Sequence, residues 1–162
     1  MSNYNSRDGH ITPRELARIK PNYYLHDTVV PRRRLPEVLA KVYEIADRHD
    51  LLVLNVFHAG DGNLHPLLVF DKRVPGTMER VHLAGEEIVA ISVAAGGALS
   101  GEHGIGLEKR DYMPLMFGPD DLAAQELLRD AFDPLRLANP SKVLPSPATC
   151  GDVHSVPEGA WI

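Results

Sequence analysis

Two glycine-rich segments of this sequence hold the side chains best suited to chemistry. The first runs His58-Ala-Gly-Asp-Gly-Asn-Leu-His65, and the second runs Ser100-Gly-Glu-His-Gly-Ile-Gly106. Two imidazoles and one carboxylate form a ligand set that zinc accepts, with a further position left for water or substrate. A third histidine could then act as a base, because this side-chain type titrates near neutrality. The spacing therefore indicates a metal site or an active site.

The same residues also have an ordinary structural interpretation. A histidine at a strand end is commonly a half-exposed polar residue, and Gly-Asp-Gly-Asn is a good turn in which Asp61 and Asn63 bond local backbone. The segment from Gly101 to Gly106 lacks the Lys-Ser/Thr ending of a phosphate loop. The arginines at 32–34 fit a solvated turn or, since they precede a helix, a site facing an acidic substrate. The other histidines are interpreted as scattered surface residues: His10, His26, His49, His82 and His154.

The first segment must be positioned by the apolar runs on either side of it. Leu51–Phe57 and Leu64–Phe70 are typical of strands, and the short connection between them predicts an antiparallel hairpin. Its two histidines would then lie on adjacent strands, close enough to share a metal ion. Pro66 weakens the second strand as a prediction, because proline donates no hydrogen bond to a sheet.

Helices and one short strand complete the predicted fold. Apolar residues recur at helical spacing from Leu35 to Ala46, from Met78 to Val93 and from Leu122 to Phe132. A short strand over residues 98–100 would lead into the second segment, a helix is plausible over 109–117, and Thr12-Pro13 begins another that ends near Lys20. The order predicts an α+β fold, with helices flanking a small antiparallel sheet and a helical segment at the C-terminal end.

Composition limits the possible classes of function. The 162 residues are 44% apolar and 24% charged, as expected for one globular domain. A net charge of -5 gives no indication of nucleic-acid binding. No apolar run is long enough for a transmembrane segment, and the single cysteine, Cys150, favours a reducing compartment or indifference to redox state. Residues 1–20 are predicted to be an irregular segment, 21–145 the domain, and 146–162 a flexible tail.

The amino-acid sequences of the two segments resemble those of a known family. Asn55–Pro66 followed by Ser100–Lys109 is similar to the C-terminal domain of FAD-linked oxidases, the vanillyl-alcohol-oxidase-like group that includes glycolate oxidase and D-lactate dehydrogenase. The resemblance extends from Pro21 to Pro145 and includes three further stretches: Tyr23–Asp27 leading to Val30–Arg33, Ala131–Pro134, and Asn139–Lys142.

The resemblance implies a chemistry and a set of site residues. Such enzymes oxidise a small 2-hydroxy acid to the 2-keto acid by hydride transfer to FAD. The resemblance also implies that this domain is a ferredoxin-like cap domain. It implies a divalent metal, zinc by preference, on His58, His65 and Glu102, with His103 as the base at the substrate hydroxyl. It also implies that Asn139 lies near the flavin and that Arg33 contacts substrate.

The resemblance also predicts the substrate and the partners. Leu25 and Leu67 fall where relatives that act on 2-hydroxyglutarate carry lysine and asparagine, which favours glycolate or D-lactate. The N-terminal FAD-binding domain is expected to be absent, so a flavin-domain chain or other oxidase subunits would be partners, with a cytoplasmic location peripheral to the inner membrane. Two alternatives stay open: a non-catalytic metal-binding module, and an inactive remnant without its flavin domain.

Overall fold

An antiparallel sheet with two helices packed on one face forms most of the computed structural model, which describes residues 20–145. The α+β fold expected from the sequence is confirmed. The helices and strands in chain order are β1 (Asn22–Leu25), β2 (Thr28–Val29), α1 (Leu35–Arg48), β3 (Leu52–His58), β4 (Asn63–Phe70), α2 (Thr77–Ala94) and α3 (Pro119–Phe132). Short 3-10 helices cover Arg32–Arg34 and Arg110–Leu115.

Strand β4 lies at the centre of the sheet. The predicted hairpin partner β3 pairs along one side of it, and β1 and β2 pair along the other, all antiparallel. Leu25 lies opposite Leu67 and Thr28 opposite Leu64, so β1 and β2 pair with β4 in the same register. They are two parts of one edge strand, interrupted where they pass Pro66. The proline does not prevent β4 from forming; it interrupts its neighbour.

The helices cover one face of the sheet with their apolar sides. Helix α1 buries the residues that its periodicity predicted, and α2 buries a second row beside it. Leu64 and Leu68 of β4 join this core and are fully buried. Each such side chain contributes roughly 1.5–3 kcal/mol relative to exposure. Because strand side chains alternate, Asn63 and His65 point to the opposite face.

The second glycine-rich segment is held beside β2 by less regular structure. The short strand predicted over 98–100 is a single β-bridge in which Ala98 and Val29 exchange backbone hydrogen bonds. The helix predicted over 109–117 is the 3-10 helix Arg110–Leu115, which contains Pro114. A small apolar cluster of Val89, Leu99 and Met113 packs this region against α2.

Some predictions concern parts of the chain without structural description. The helix predicted before Lys20, the tail over 146–162, and His10 and His154 lie outside the described residues. Across residues 20–145, no helix combines the length and the apolar character that crossing a bilayer requires.

Candidate metal and active site

The hairpin brings His58 and His65 together on the face of the sheet away from the helices. His58 ends β3 opposite Asn63, and His65 lies opposite Val56, so the two histidines are diagonal neighbours. Their ring centroids are 5.4 Å apart and the rings are nearly perpendicular, at 89°. His65 is buried and His58 is exposed, so the pair opens toward solvent on the His58 side.

Glu102 of the second segment completes a cluster with these histidines. Its Oε1 lies 3.2 Å from His65 Nε2, and one donor atom from each of the three residues falls within 4.8 Å of the others. Zinc ligands at ~2.1 Å in a tetrahedron lie roughly 3.4 Å from one another. The donor set and spacing therefore fit a divalent cation after small side-chain adjustments. The exposure of Glu102 leaves room for a further ligand.

The other nitrogen of the His65 ring, Nδ1, lies within hydrogen-bond distance of a backbone carbonyl. Nδ1 lies 3.3 Å from the carbonyl oxygen of His26, and an oxygen of this kind can only accept, so Nδ1 carries the proton and donates. In the neutral ring, Nε2 then presents its lone pair to the carboxylate of Glu102. Two acceptors facing each other favour a cation between them, and a backbone carbonyl behind the ring is the usual support of a histidine ligand.

His103 lies beside the cluster on its solvent side. Its ring stacks on that of His65, with centroids 5.2 Å apart and an angle of 20°, and its Nε2 is 3.6 Å from Glu102 Oε1. The side chain is 44% exposed. A group bound next to the three candidate ligands would therefore be within reach of an imidazole that can take up a proton.

Asp27, which the sequence reasoning missed, holds the second segment in place. Its Oδ2 accepts hydrogen bonds from Ser100 Oγ at 2.6 Å and from the backbone N–H groups of Gly101, Glu102 and His103 at 3.0, 3.0 and 2.9 Å. The only signal in the sequence is an acidic residue inside an otherwise strand-like stretch.

The charge of Asp27 is buried together with that of Lys109. The two side chains are 0% and 5% exposed, Lys109 Nζ lies 3.7 Å from Oδ2, and the ammonium also donates to the Asp27 carbonyl. Burial alone would raise the pKa of Asp27, but the hydrogen bonds from Ser100, His103 and Glu102 and the charge of Lys109 hold that pKa well below its ordinary value. The carboxylate is therefore ionised at neutral pH.

Close packing also fixes the second segment. A Cβ on Gly101 would lie 2.7 Å from the side-chain atoms of Asn63, so only glycine allows this approach. Asn63 is 6% exposed, and within residues 20–145 its Oδ1 has no hydrogen-bond partner. Asn63 therefore acts as a packing surface for the segment rather than as the local turn former that its sequence context suggested.

Arg33 and Asn139 are not joined to this cluster. Arg33 is exposed in the 3-10 helix at 32–34. Asn139 has a left-handed backbone with φ of 47°, and its Oδ1 accepts a hydrogen bond from Lys142 Nζ at 3.2 Å. In the part of the chain that the structure describes, neither side chain has a hydrogen bond or an ion pair with the four clustered residues. Their roles stay predictions.

Two of the histidines interpreted as scattered surface residues have defined surroundings in the structure. His26 is 1% exposed, its ring meets Tyr24 edge-on at 4.4 Å, and among the described residues neither ring nitrogen has a hydrogen-bond partner. Burial, with a smaller effect from Lys109, lowers its pKa to about 3. His49 Nε2 pairs with Glu87 Oε1 at 2.7 Å and is 16% exposed. The surface interpretation was wrong for His26, because a histidine's burial depends on what packs over it. His49 stays at the surface as part of an ion pair.

Comparison with known proteins supports the resemblance noted in the sequence. Residues 3–143 match the family described as FAD linked oxidases, C-terminal domain. The chain is 44% identical over 137 residues to glycolate oxidase subunit GlcD of Escherichia coli (strain K12), covering 85% of this chain and 28% of that protein. It is 38% identical over 128 residues to GlcD of Bacillus subtilis (strain 168), covering 79% and 27%.

A third relative carries a different name. The mitochondrial D-lactate dehydrogenase (cytochrome) of Kluyveromyces lactis is 34% identical over 122 residues, which cover 75% of this chain and 21% of that protein. The chain thus spans between about a fifth and little more than a quarter of the length of these relatives. The match over nearly all of its own length is decisive for the family: the chain belongs to the C-terminal domains of FAD-linked oxidases.

Proposed function

We propose that this chain supplies the substrate- and metal-binding part of an FAD-dependent oxidoreductase that converts a small 2-hydroxy acid, glycolate or D-lactate, to the 2-keto acid. The observation that carries the proposal is the convergence of His58, His65 and Glu102, with His103 stacked beside them. The names of the relatives, glycolate oxidase and D-lactate dehydrogenase, support the class of substrate.

In this proposal His58, His65 and Glu102 hold a divalent cation, for which zinc suits the nitrogen and oxygen donors best. The cation, when bound, supplies positive charge that orients the carboxylate and hydroxyl of the acid. His103 takes up the hydroxyl proton at a ring nitrogen, since its half-exposed ring borders the open side of the cluster. Arg33 would contact the substrate carboxylate, and Asn139 would lie near the flavin.

The flavin, which supplies the hydride acceptor when bound, would be held mainly by a flavin domain outside these residues. The apolar side chains of α3 and the following loop support such a partner, because they are 61–85% exposed and form a surface suited to contact with another domain: Leu127, Leu128, Phe132, Leu135 and Leu137. A cytoplasmic location, peripheral to the inner membrane through partner subunits, is part of the same proposal.

Zinc titration of the metal-stripped chain tests the site directly. We expect one zinc ion per chain by calorimetry. His65→Ala and Glu102→Gln each remove a direct ligand and should weaken binding beyond the ~10–100-fold typical of an outer-shell change. His49→Ala, which removes a histidine outside the cluster, is the control and should bind as the unchanged chain does. Unaltered zinc affinity in both ligand variants would show that the metal site is wrong.

A mixing experiment tests the chemistry. The chain is combined with a separately produced flavin domain of a relative, and glycolate and D-lactate oxidation are followed with an artificial electron acceptor. We expect turnover above that of the flavin domain alone, and His103→Ala should lower kcat by about 10²–10⁴-fold while zinc binding persists. Zinc binding without any turnover would instead support the non-catalytic module.

A further inference from the structure

Pro66 occupies the middle of the central strand β4, a position that proline rarely takes in a sheet. It lies opposite His26 of the neighbouring edge, in a pair that would normally exchange two backbone hydrogen bonds. The first bond is present, from the His26 N–H to the Pro66 carbonyl oxygen at 2.9 Å. The second cannot form, because Pro66 has no N–H to offer the His26 carbonyl.

The carbonyl of His26 therefore lacks the backbone donor that a regular sheet would supply. His26 is 1% exposed, and a buried carbonyl without a donor is costly. The donor present is His65 Nδ1, at 3.3 Å, from the residue directly before the proline. A side chain at position 65 thus replaces the backbone donor that is missing at position 66.

We propose that Pro66 is a positioning residue for the candidate metal site. By lacking an N–H, it reserves the His26 carbonyl for His65 Nδ1–H, which fixes the ring and its tautomer and turns Nε2 toward Glu102 Oε1, 3.2 Å away. This inference rests on the proposed function, in which Nε2 of His65 is a metal ligand.

Any other residue at position 66 would bring a competing donor. Its N–H would lie between the strands and would draw the His26 carbonyl into the plane of the sheet, away from the His65 ring on the sheet face. The His65 ring would lose part of its support, and the tautomer with the proton on Nε2 would become accessible. That tautomer cannot bind a metal through Nε2.

The test uses the full chain, Pro66→Ala, and Pro75→Ala as a control proline that is exposed and outside the sheet. Side-chain ¹⁵N shifts report the His65 tautomer in metal-free protein, amide exchange reports the new N–H, and calorimetry reports zinc affinity. We expect Nδ1–H on His65 in the unchanged chain. In Pro66→Ala we expect a protected amide at position 66, a mixed tautomer and zinc binding weakened ~10–100-fold, with no change in Pro75→Ala.

The outcomes separate this inference from the proposed function. If the unchanged chain binds no zinc but Pro66→Ala still shifts the tautomer, the positioning role stands and the metal site fails. If His65 in the unchanged chain carries its proton on Nε2, the inference is overturned, whether or not the variant folds. Tautomer and zinc affinity unchanged in a folded Pro66→Ala would overturn it equally.

Discussion

One carboxylate oxygen of Asp27 organises the loop that carries both Glu102 and His103. Three successive backbone N–H groups and a serine hydroxyl converge on it, as in the backbone nests that bind anions. Such bonds are stronger than neutral ones because the acceptor is charged. Asp27 lies 75 and 76 positions before the two residues that it orients, so the geometry of the site depends on a contact between distant parts of the chain.

Replacing Asp27 should disturb both stability and metal binding. Asp27→Asn keeps the shape but removes the charge that Lys109 and the amides require, so we expect the free energy of unfolding to fall by about 3–5 kcal/mol and zinc binding to weaken. Urea unfolding and calorimetry measure the two effects. Ser92→Ala is the control, since its buried hydroxyl bonds Thr28 Oγ1 at 3.2 Å elsewhere in the core; it should cost ~1 kcal/mol and leave zinc affinity intact. Unchanged stability and affinity in Asp27→Asn would contradict the role.

The sequence made part of the site predictable and part not. His58 and His65 could be brought together because a hairpin places residues on adjacent strands by local rules. Glu102 and His103 were candidates by residue type, but only the family resemblance assigned their roles, since nothing local predicts that their loop reaches the hairpin. Asp27 and the His26 carbonyl were unpredictable, because their roles arise only after strands distant in sequence have paired.

At the scale of elements, helix α2 lies unusually close to the sheet at Gly85. A Cβ at this position would come 2.8 Å from His26 Nε2 and 3.3 Å from the Tyr24 ring. Glycine inside a helix costs about 1 kcal/mol relative to alanine. The close approach of the helix to these two rings offsets that cost, and the helix periodicity alone gives no hint of it.

Gly85→Ala should therefore destabilise the protein although alanine is the better helix former. We expect a loss of about 1–3 kcal/mol from overpacking against His26. In a His26→Ala background the ring is gone, and the same substitution should become neutral or stabilising. A double-mutant cycle by urea unfolding measures this coupling. An equal cost of Gly85→Ala in both backgrounds would show that the ring contact is unimportant.

The elements themselves were largely predictable. Helices α1 and α2 and the β3–β4 hairpin follow from periodic apolar residues, because one face of each packs into the core. Helix α3 was predicted from the same kind of periodicity, although none of its residues is buried in the described part of the chain. The division of the edge strand into β1 and β2 was not predicted, since it reflects a donor missing on the opposite strand. The bridge at Ala98 falls where a short strand was predicted over 98–100, but it consists of one bridge to Val29 rather than a strand.

At the scale of the whole molecule, the two faces of the sheet have separate tasks. The helix-covered face holds the main core, and the other face carries the candidate site. His26 connects the two: its ring lies against α2 and its carbonyl supports His65. The protonation of that ring therefore bears on the stability of the entire domain.

Stability should fall in acid because of His26. Its pKa is about 3 in the folded chain and 6.5 as an ordinary histidine, so the unfolded chain binds the proton more readily. The contribution is complete above about pH 6.5 and is lost as the pH falls toward 3. The full shift corresponds to about 5 kcal/mol. Urea unfolding at neutral and acid pH measures it. His26→Leu should reduce the pH slope, and equal slopes in His26→Leu and the unchanged chain would contradict the assignment.

Pro66 also has a consequence before the chain folds. Strand β4 ends in the apolar run Leu67–Phe70, and uninterrupted apolar segments of about six or seven residues tend to stack into amyloid-like zippers. Pro66 directly precedes this run and Asp71 directly follows it, so a residue that disfavours stacking stands at each end. A residue placed to orient a histidine in the native sheet thus acts as a gatekeeper against aggregation while the chain is still unfolded.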